Sequence, residues 1–282
     1  MDWSEIVLLL AIAIILVLYL RLMRKSRRLR QLADEADRLR CETIEEQKRN
    51  RQLKQEMTSN ISHELKTPVT SIRGYLEILL SNKTIDEERR RFYLDRCYSQ
   101  TLRLSDLIKD VSLINKLEES ADLFPKTAVD VRAIAQEAID ELQDKATEKG
   151  ITIFNNLPQS MPLNGNHELL YGIFRNLIEN ALAYAGEGVS VTMETYQVES
   201  GKQNTATYYI HFYDNGRGVP DTELSRLFDR FVRIDEGRSR RNGGTGLGLS
   251  IVKHAILFHG GEIYAKNRAE GGLEFFLSLK DK

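Results

Sequence analysis

From Ser59 to Leu80 the chain reads SNISHELKTPVTSIRGYLEILL, with apolar residues at Ile61, Leu65, Val69, Ile72, Leu76 and Leu79. That spacing of three and four predicts one amphipathic helix with a single apolar stripe. A break at SNKTIDEER and an Asp86-led start then introduce a second helix, running to about Leu117. Its own stripe is Leu94, Cys97, Thr101, Leu104, Ile108 and Val111. Two such helices form a hairpin, which buries too little by itself. Pairing two hairpins gives a four-helix bundle with an interior, so a homodimer is expected. His63 lies off the stripe and is predicted to face solvent. Pro68 lacks an N–H and clashes with the Glu64 carbonyl, which predicts a kink just past the histidine.

Upstream, Ile6 to Leu20 is an unbroken apolar run, and a helix from Ile6 to Leu22 would span roughly 25 Å against a hydrocarbon core of about 30 Å. Trp3 and Tyr19 suit the interfaces and Arg21 can snorkel. Asp2 and Glu5 precede the run, while Arg21, Arg24, Lys25, Arg27 and Arg28 follow it. This is the charge order of a single-pass anchor in the inner (cytoplasmic) membrane, with the N-terminus outside and the rest cytoplasmic. So little chain outside directs the search for input to the membrane, the cytoplasm or a sensory partner protein. Leu22 to Met57 is charged and free of Pro and Gly. Its heptad positions Leu22, Leu29, Ala36, Thr43, Asn50 and Met57, with Leu32, Leu39, Glu46 and Leu53, predict a parallel coiled coil with a polar middle. The expected divisions are an anchor at 1–22, a signalling coiled coil at 23–56, an all-α dimerisation hairpin at 57–119 and a mixed domain at 120–282.

Lys and Arg number 40 against 41 Asp and Glu, a net charge of −1, so no nucleic-acid signature is present. Cys41 and Cys97 are distant and lack a CxxC partner, which predicts free thiols. After the linker ADLFPKTA the pattern turns to mixed helix and strand. Helices are expected at 131–149, at 167–185 and through Phe258, with strands at ITIFNN, 189–198, 207–214, GEIYAKN and LEFFLSL. That alternation is an α+β layer.

Three stretches of this second half carry amides and glycines. Asn176-Leu177-Ile178-Glu179-Asn180 places two amides at i and i+4 on one helix face. Asp214-Asn215-Gly216-Arg217-Gly218 ends a strand with a carboxylate and two glycines. Gly243-Gly244-Thr245-Gly246-Leu247-Gly248-Leu249 opens a helix, where N–H groups and the positive dipole end favour phosphate. Each alone is an ordinary turn signal. In this order, with Leu227-Phe228-Asp229-Arg230-Phe231 between the last two and SHELKTPVTSIRG upstream, they resemble the N, G1, F, G2 and phosphoacceptor boxes of sensor histidine kinases. The resemblance covers Met57 to Lys282 and implies a Bergerat-type α/β sandwich that binds ATP and Mg²⁺.

By that resemblance Asn180 ligates Mg²⁺ and Asn176 assists, a neutral oxygen set suited to a hard cation that keeps phosphate and water ligands. Asp214 accepts the adenine amino proton beside Gly216 and Gly218, and Tyr184 stacks on the ring. Gly244, Thr245, Gly246, Leu247 and Gly248 line the phosphates under a lid from Val219 to Asn242 that carries Arg230 and Arg233. Many family members have Lys where this chain has Ala183, so either another lid cation (Arg238, Arg240 or Arg241) neutralises phosphate instead or affinity is lower. His63 is the implied phosphoacceptor, Glu64 orients its ring, and the phosphoryl group passes to an aspartate of a response regulator. The spacing Glu64-x-x-Thr67 resembles the arrangement with which such kinases also dephosphorylate their regulators. The plain alternative is a Thr67 hydroxyl bonded back to the His63 or Glu64 carbonyl. ATP-hydrolysing clamps of the same fold carry a glutamate where this chain has Asn176, which implies that ATP is spared from water. The remaining rival is an anchored scaffold with a dead nucleotide domain. His167, His211, His254 and His259 are read as structural.

Overall fold

The computed structural model describes residues 3–81, 84–119, 123–200, 206–234 and 244–280. The chain divides into two compact units, Met1–Ile61 and Ser62–Lys282. The first consists of helix, the beginning of α1 (Trp3–Ser81). Most side chains of the Ile6–Leu20 run and of the heptad positions lie outside the described residues. Among the described residues, no helix is long and apolar enough to cross a membrane.

The second unit starts with the C-terminal turns of α1 and α2 (Glu87–Glu119), which form the expected hairpin. Asp86 caps α2, its carboxylate accepting from the Arg89 N–H at 2.8 Å. The α1 helix is continuous through Pro68, which is buried. Tyr75 and Tyr93 pack across the hairpin with ring centroids 5.8 Å apart. Part of each apolar stripe nevertheless stays uncovered in one chain, with Val69 52% and Ile108 58% exposed. Leu107 and Ile114 are buried instead, on a side of α2 whose Leu113 and Leu117 pack on the core of the following domain.

That domain is a layer of helices on a sheet. Its elements are β1 (Thr127–Asp130), α3 (Val131–Glu148), β2 (Thr152–Asn156), β3 (Pro162–Gly165), α4 (His167–Tyr184), β4 (Ser190–Ser200), β5 (Ala206–Asp214), a 3₁₀ turn Asp221–Arg226, α5 (Gly248–Phe258), β6 (Ile263–Asn267) and β7 (Leu273–Lys280). Five strands run in the order β2-β4-β5-β7-β6, with β2 parallel to β4 and the other pairs antiparallel. A small antiparallel pair, β1 with β3, lies apart from this sheet. The α4 residues Leu169, Leu170, Ile173, Phe174, Leu177, Ile178, Ala181 and Leu182 are all buried, a stripe at helical spacing. Along β5 the buried positions alternate as Tyr208, Ile210, Phe212 and Asp214. The same alternation that buries three core residues therefore carries a carboxylate inward.

Helix ends are closed chemically. Asn166 caps α4 by accepting from the Leu169 N–H at 3.0 Å, while its own amide donates to the Pro125 carbonyl at 2.9 Å. That second bond ties the linker after the hairpin to the helix-on-sheet domain. His259, fully buried just past α5, donates from Nδ1 to the Ala255 carbonyl at 2.7 Å and accepts the Asn166 N–H on Nε2 at 3.1 Å. One neutral imidazole thus joins the end of α5 to the start of α4.

Burial drops the His259 pKa from 6.5 to about 4. The unfolded chain then binds a proton the folded chain refuses, so this stability is complete above pH 6.5 and is lost as pH falls towards 4. The loss from this group should reach about 3 kcal/mol at pH 4. Denaturant unfolding of wild type and His259→Gln across this range should show the variant less stable at pH 7 and the gap narrowing on acidification. A gap independent of pH would contradict the assignment.

Candidate functional site

The floor of the site follows from the β5 alternation. Asp214 is 5% exposed, and its Oδ1 accepts N–H bonds from Gly216 at 2.8 Å and Leu273 at 3.3 Å. Burial raises its pKa above the usual carboxylate value, opposed by those two N–H groups and by the Arg268 charge. Desolvating a carboxylate costs several kcal/mol unless it is bonded, so the glycine turn and the start of β7 are needed to hold it. Gly216 lies so close to α4 that an added Cβ would sit 2.3 Å from the Ala185 carbonyl oxygen.

Beside Asp214 opens a cavity of about 610 Å³. From α4 it is lined by Asn180, Ala181 and Tyr184, and from the turn after β5 by Arg217, Gly218, Val219 and Pro220. Leu227, Val232, Arg233 and Ile234 line it from the following segment, Gly246, Gly248 and Leu249 from the start of α5, and Leu273 from β7. It is a mostly apolar slot with one buried carboxylate and one amide, the composition of a small-ligand site.

Seven of the expected residues therefore share one cavity: Asn180, Tyr184, Asp214, Gly218, Arg233, Gly246 and Gly248. The other expected residues do not line it. Asn176 donates its amide to the Gly172 carbonyl at 2.7 Å, which leaves its oxygen facing Gly248. A Cβ on Gly248 would lie 2.7 Å from that oxygen. The amide oxygens of Asn176 and Asn180 are neutral and hard, and fit a Mg²⁺ whose remaining ligands come from phosphate and water. Gly244 offers its carbonyl to Arg233 at 2.6 Å. Leu247 is buried, and its N–H donates to the Thr245 hydroxyl at 3.2 Å. Phe231 holds a positive φ of 63°, strained for a side chain of that size, and its N–H donates to the Gly246 carbonyl at 2.8 Å. Arg238, Arg240 and Arg241 lie outside the described residues.

His63 is exposed on α1, as its place off the apolar stripe requires. Glu64 is half-buried, accepting from Arg103 at 3.5 Å and from Arg233 at 2.8 Å. Thr67 donates its hydroxyl to the His63 carbonyl at 3.3 Å. Sequence reasoning did not reach the partners of Arg230, which ion-pairs with Glu118 beside His254, or of Thr245, whose hydroxyl donates to Asp110 at 2.9 Å. These join residues more than a hundred positions apart, and no local pattern encodes them. The apolar liners were within reach: Leu273 starts the inward alternation of β7, and Ala181 and Ala185 lie on the helix that carries Asn180.

Comparison with known proteins agrees with this arrangement. Residues 53–120 match the His Kinase A (phospho-acceptor) domain, and residues 165–282 match the histidine kinase-, DNA gyrase B-, and HSP90-like ATPase. The sensor-like histidine kinase SenX3 of Mycolicibacterium smegmatis is 32% identical over 257 residues, 90% of this chain and 65% of that protein. The sensor histidine kinase WalK of Bacillus subtilis is 30% identical over 240 residues, 85% of this chain and 38% of that one. The chain spans about half the length of the curated relatives it matches. Among solved structures, the Acinetobacter baumannii histidine kinase AdeS shares the fold at a TM-score of 0.58 and 22% identity, over 78% of this chain and 97% of that one. Histidine kinase ThkA, solved in complex with response regulator protein TrrA, does so at 0.61 and 22%, over 80% and 61%. With an acceptor hairpin followed by an ATPase layer, the chain belongs to the two-component sensor histidine kinases.

The two tight glycines should fail differently. Gly216→Ala pushes against backbone and should destabilise the domain by about 1–3 kcal/mol. Gly248→Ala pushes against a pinned amide at the cavity edge and should weaken nucleotide binding about tenfold with little change in melting. Thermal melts and nucleotide titrations of both variants check the split. A Gly248→Ala protein with unaltered affinity would remove Asn176 and Gly248 from the site.

Proposed function

We propose that this chain phosphorylates its own His63 from Mg·ATP and passes the phosphoryl group to an aspartate of a response regulator. The observation that carries the reading is Arg233. This one guanidinium lines the cavity and donates to Glu64, the neighbour of His63, at 2.8 Å. Through this side chain the acceptor hairpin reaches the nucleotide cavity. Adenine would sit over Asp214 beside Tyr184, with Mg²⁺ on Asn180 assisted by Asn176 and the phosphates along Gly244–Gly248. The ShkA structure with AMPPNP and the ThkA complex with TrrA show nucleotide and regulator bound to proteins of similar fold, which supports both partners here.

In the step itself, a ring nitrogen of neutral His63 attacks the γ-phosphorus in line. The N–P bond forms as the bond to the β,γ-bridging oxygen breaks, and ADP departs with that electron pair. In this reading Glu64 orients the ring and takes its other proton. Asn176 cannot act as base on a water, which favours transfer to His63 over hydrolysis. Thr67 spends its hydroxyl on the His63 carbonyl, so this geometry favours its capping role over a water-positioning one.

The uncovered stripe with Val69 and Ile108 is the surface on which a second copy would complete a four-helix bundle. The Ile6–Leu20 run, followed by basic residues, supports a membrane anchor with cytoplasmic catalytic domains, joined to them by a coiled coil.

Incubation with ATP should give one acid-labile phosphoryl group per active subunit. His63→Gln should abolish it while leaving nucleotide affinity within about twofold, because the residue is exposed and outside the cavity. Residual acid-labile label in that variant would overturn the assignment.

A further inference from the structure

Groups expected to hold the triphosphate are occupied, and their occupants are carboxylates of the hairpin. Arg233 lines the cavity, yet its guanidinium donates to Glu64 at 2.8 Å and to the Gly244 carbonyl at 2.6 Å. Thr245, in the glycine turn that opens α5, donates its hydroxyl to Asp110 at 2.9 Å. Arg230 is ion-paired with Glu118. All three carboxylates belong to α1 or α2, and all three partners belong to the nucleotide side.

The match is chemical. A carboxylate and a phosphate both present anionic oxygens to guanidinium and hydroxyl donors, and a given donor set serves one or the other well. We propose that Glu64, Asp110 and Glu118 form an acidic latch that competes with the triphosphate of ATP for Arg233, Thr245 and Arg230, so that nucleotide binding and release of the hairpin are coupled. The proposal rests on the reading of the cavity as an ATP site.

A second feature places the latch in a real interface. Asp110 sits on α2 between Leu107 and Ile114, 3% and 0% exposed, and Leu113 and Leu117 pack against the core of the ATPase layer. Asp110 is thus the polar centre of an apolar contact, where a charge-assisted bond is shielded from solvent. Glu64 and Arg233 are likewise shielded, with side chains 26% and 12% exposed. The same guanidinium cannot serve Glu64 and a γ-phosphate in full. While latched, the catalytic unit presents fewer donors to ATP and Glu64 is withheld from His63. Occupancy by Mg·ATP frees both at once. Apparent nucleotide affinity is reduced by the fraction of molecules latched, which makes the latch measurable.

The test titrates the full-length protein with Mg²⁺ and AMP-PNP, whose bridging nitrogen prevents phosphoryl transfer. Asp110→Asn with Glu118→Gln keeps shape and removes two of the three carboxylates. The double variant should bind about tenfold more tightly, and Glu118→Gln alone, at the exposed end, about threefold. Hydrogen exchange in residues 103–118 of the wild-type protein should rise when AMP-PNP binds. Unchanged or weaker affinity in both variants, or saturated binding with unchanged exchange, overturns the latch and leaves the ATP site standing. Failure of every form, wild type included, to bind AMP-PNP would instead overturn the ATP reading and the latch with it.

Discussion

A carboxylate buried at the end of a central strand sets the terms for the helix-on-sheet half of this molecule. Asp214 is inward because β5 alternates, and it can stay inward only where donors reach it. Gly216 and Leu273 supply them at 2.8 and 3.3 Å. That need fixes the close turn against Ala185, the register of β7 beside β5 and the position of the cavity wall. The carboxylate borders a slot whose other liners are mostly apolar, with Asn180, Arg217 and Arg233 among them. A buried anion in the wall of a mostly apolar slot suits a ligand that donates a hydrogen bond and presents a flat apolar face. In the proposed reading, adenine meets both conditions.

Charge organises the other side of the site. The hairpin brings Glu64, Asp110 and Glu118 to residues of the nucleotide segment, and the contacts are partly shielded by Leu107 and Ile114. Exposed ion pairs are worth little, but several converging on one face alongside an apolar patch define a docked arrangement. The molecule described here is therefore one in which donors and hairpin satisfy each other. In the proposed cycle they must separate for His63 to receive a phosphoryl group.

Much of this was legible in the sequence, for physical reasons. Helix and strand periods located α2 to α5 and the five strands of the main sheet to within a few residues, because each element buries one face. The amide pair and the glycine turns were legible because backbone close to phosphate leaves few choices of residue. The small β1–β3 pair was not: four-residue strands such as Thr127–Asp130 have too little pattern, and β3 is Pro-Leu-Asn-Gly, which reads as a turn. Pro68 lies inside α1, which continues beyond it to Ser81. Thr67 offered two roles, and the bond to the His63 carbonyl favours the simpler one. The Arg233–Glu64 and Thr245–Asp110 contacts were invisible, since they depend on how two domains dock rather than on any local pattern.

The central claim, that the buried Asp214 carboxylate reads the adenine amino group, is tested most directly by comparing two nucleotides on the wild-type protein. Purine riboside triphosphate differs from ATP only in lacking that amino group, and its titration against ATP with Mg²⁺ present isolates the one hydrogen bond. Loss of a hydrogen bond to a buried charged group should cost about 1.5–3 kcal/mol, roughly tenfold or more in affinity. Equal affinities for the two nucleotides would contradict the account.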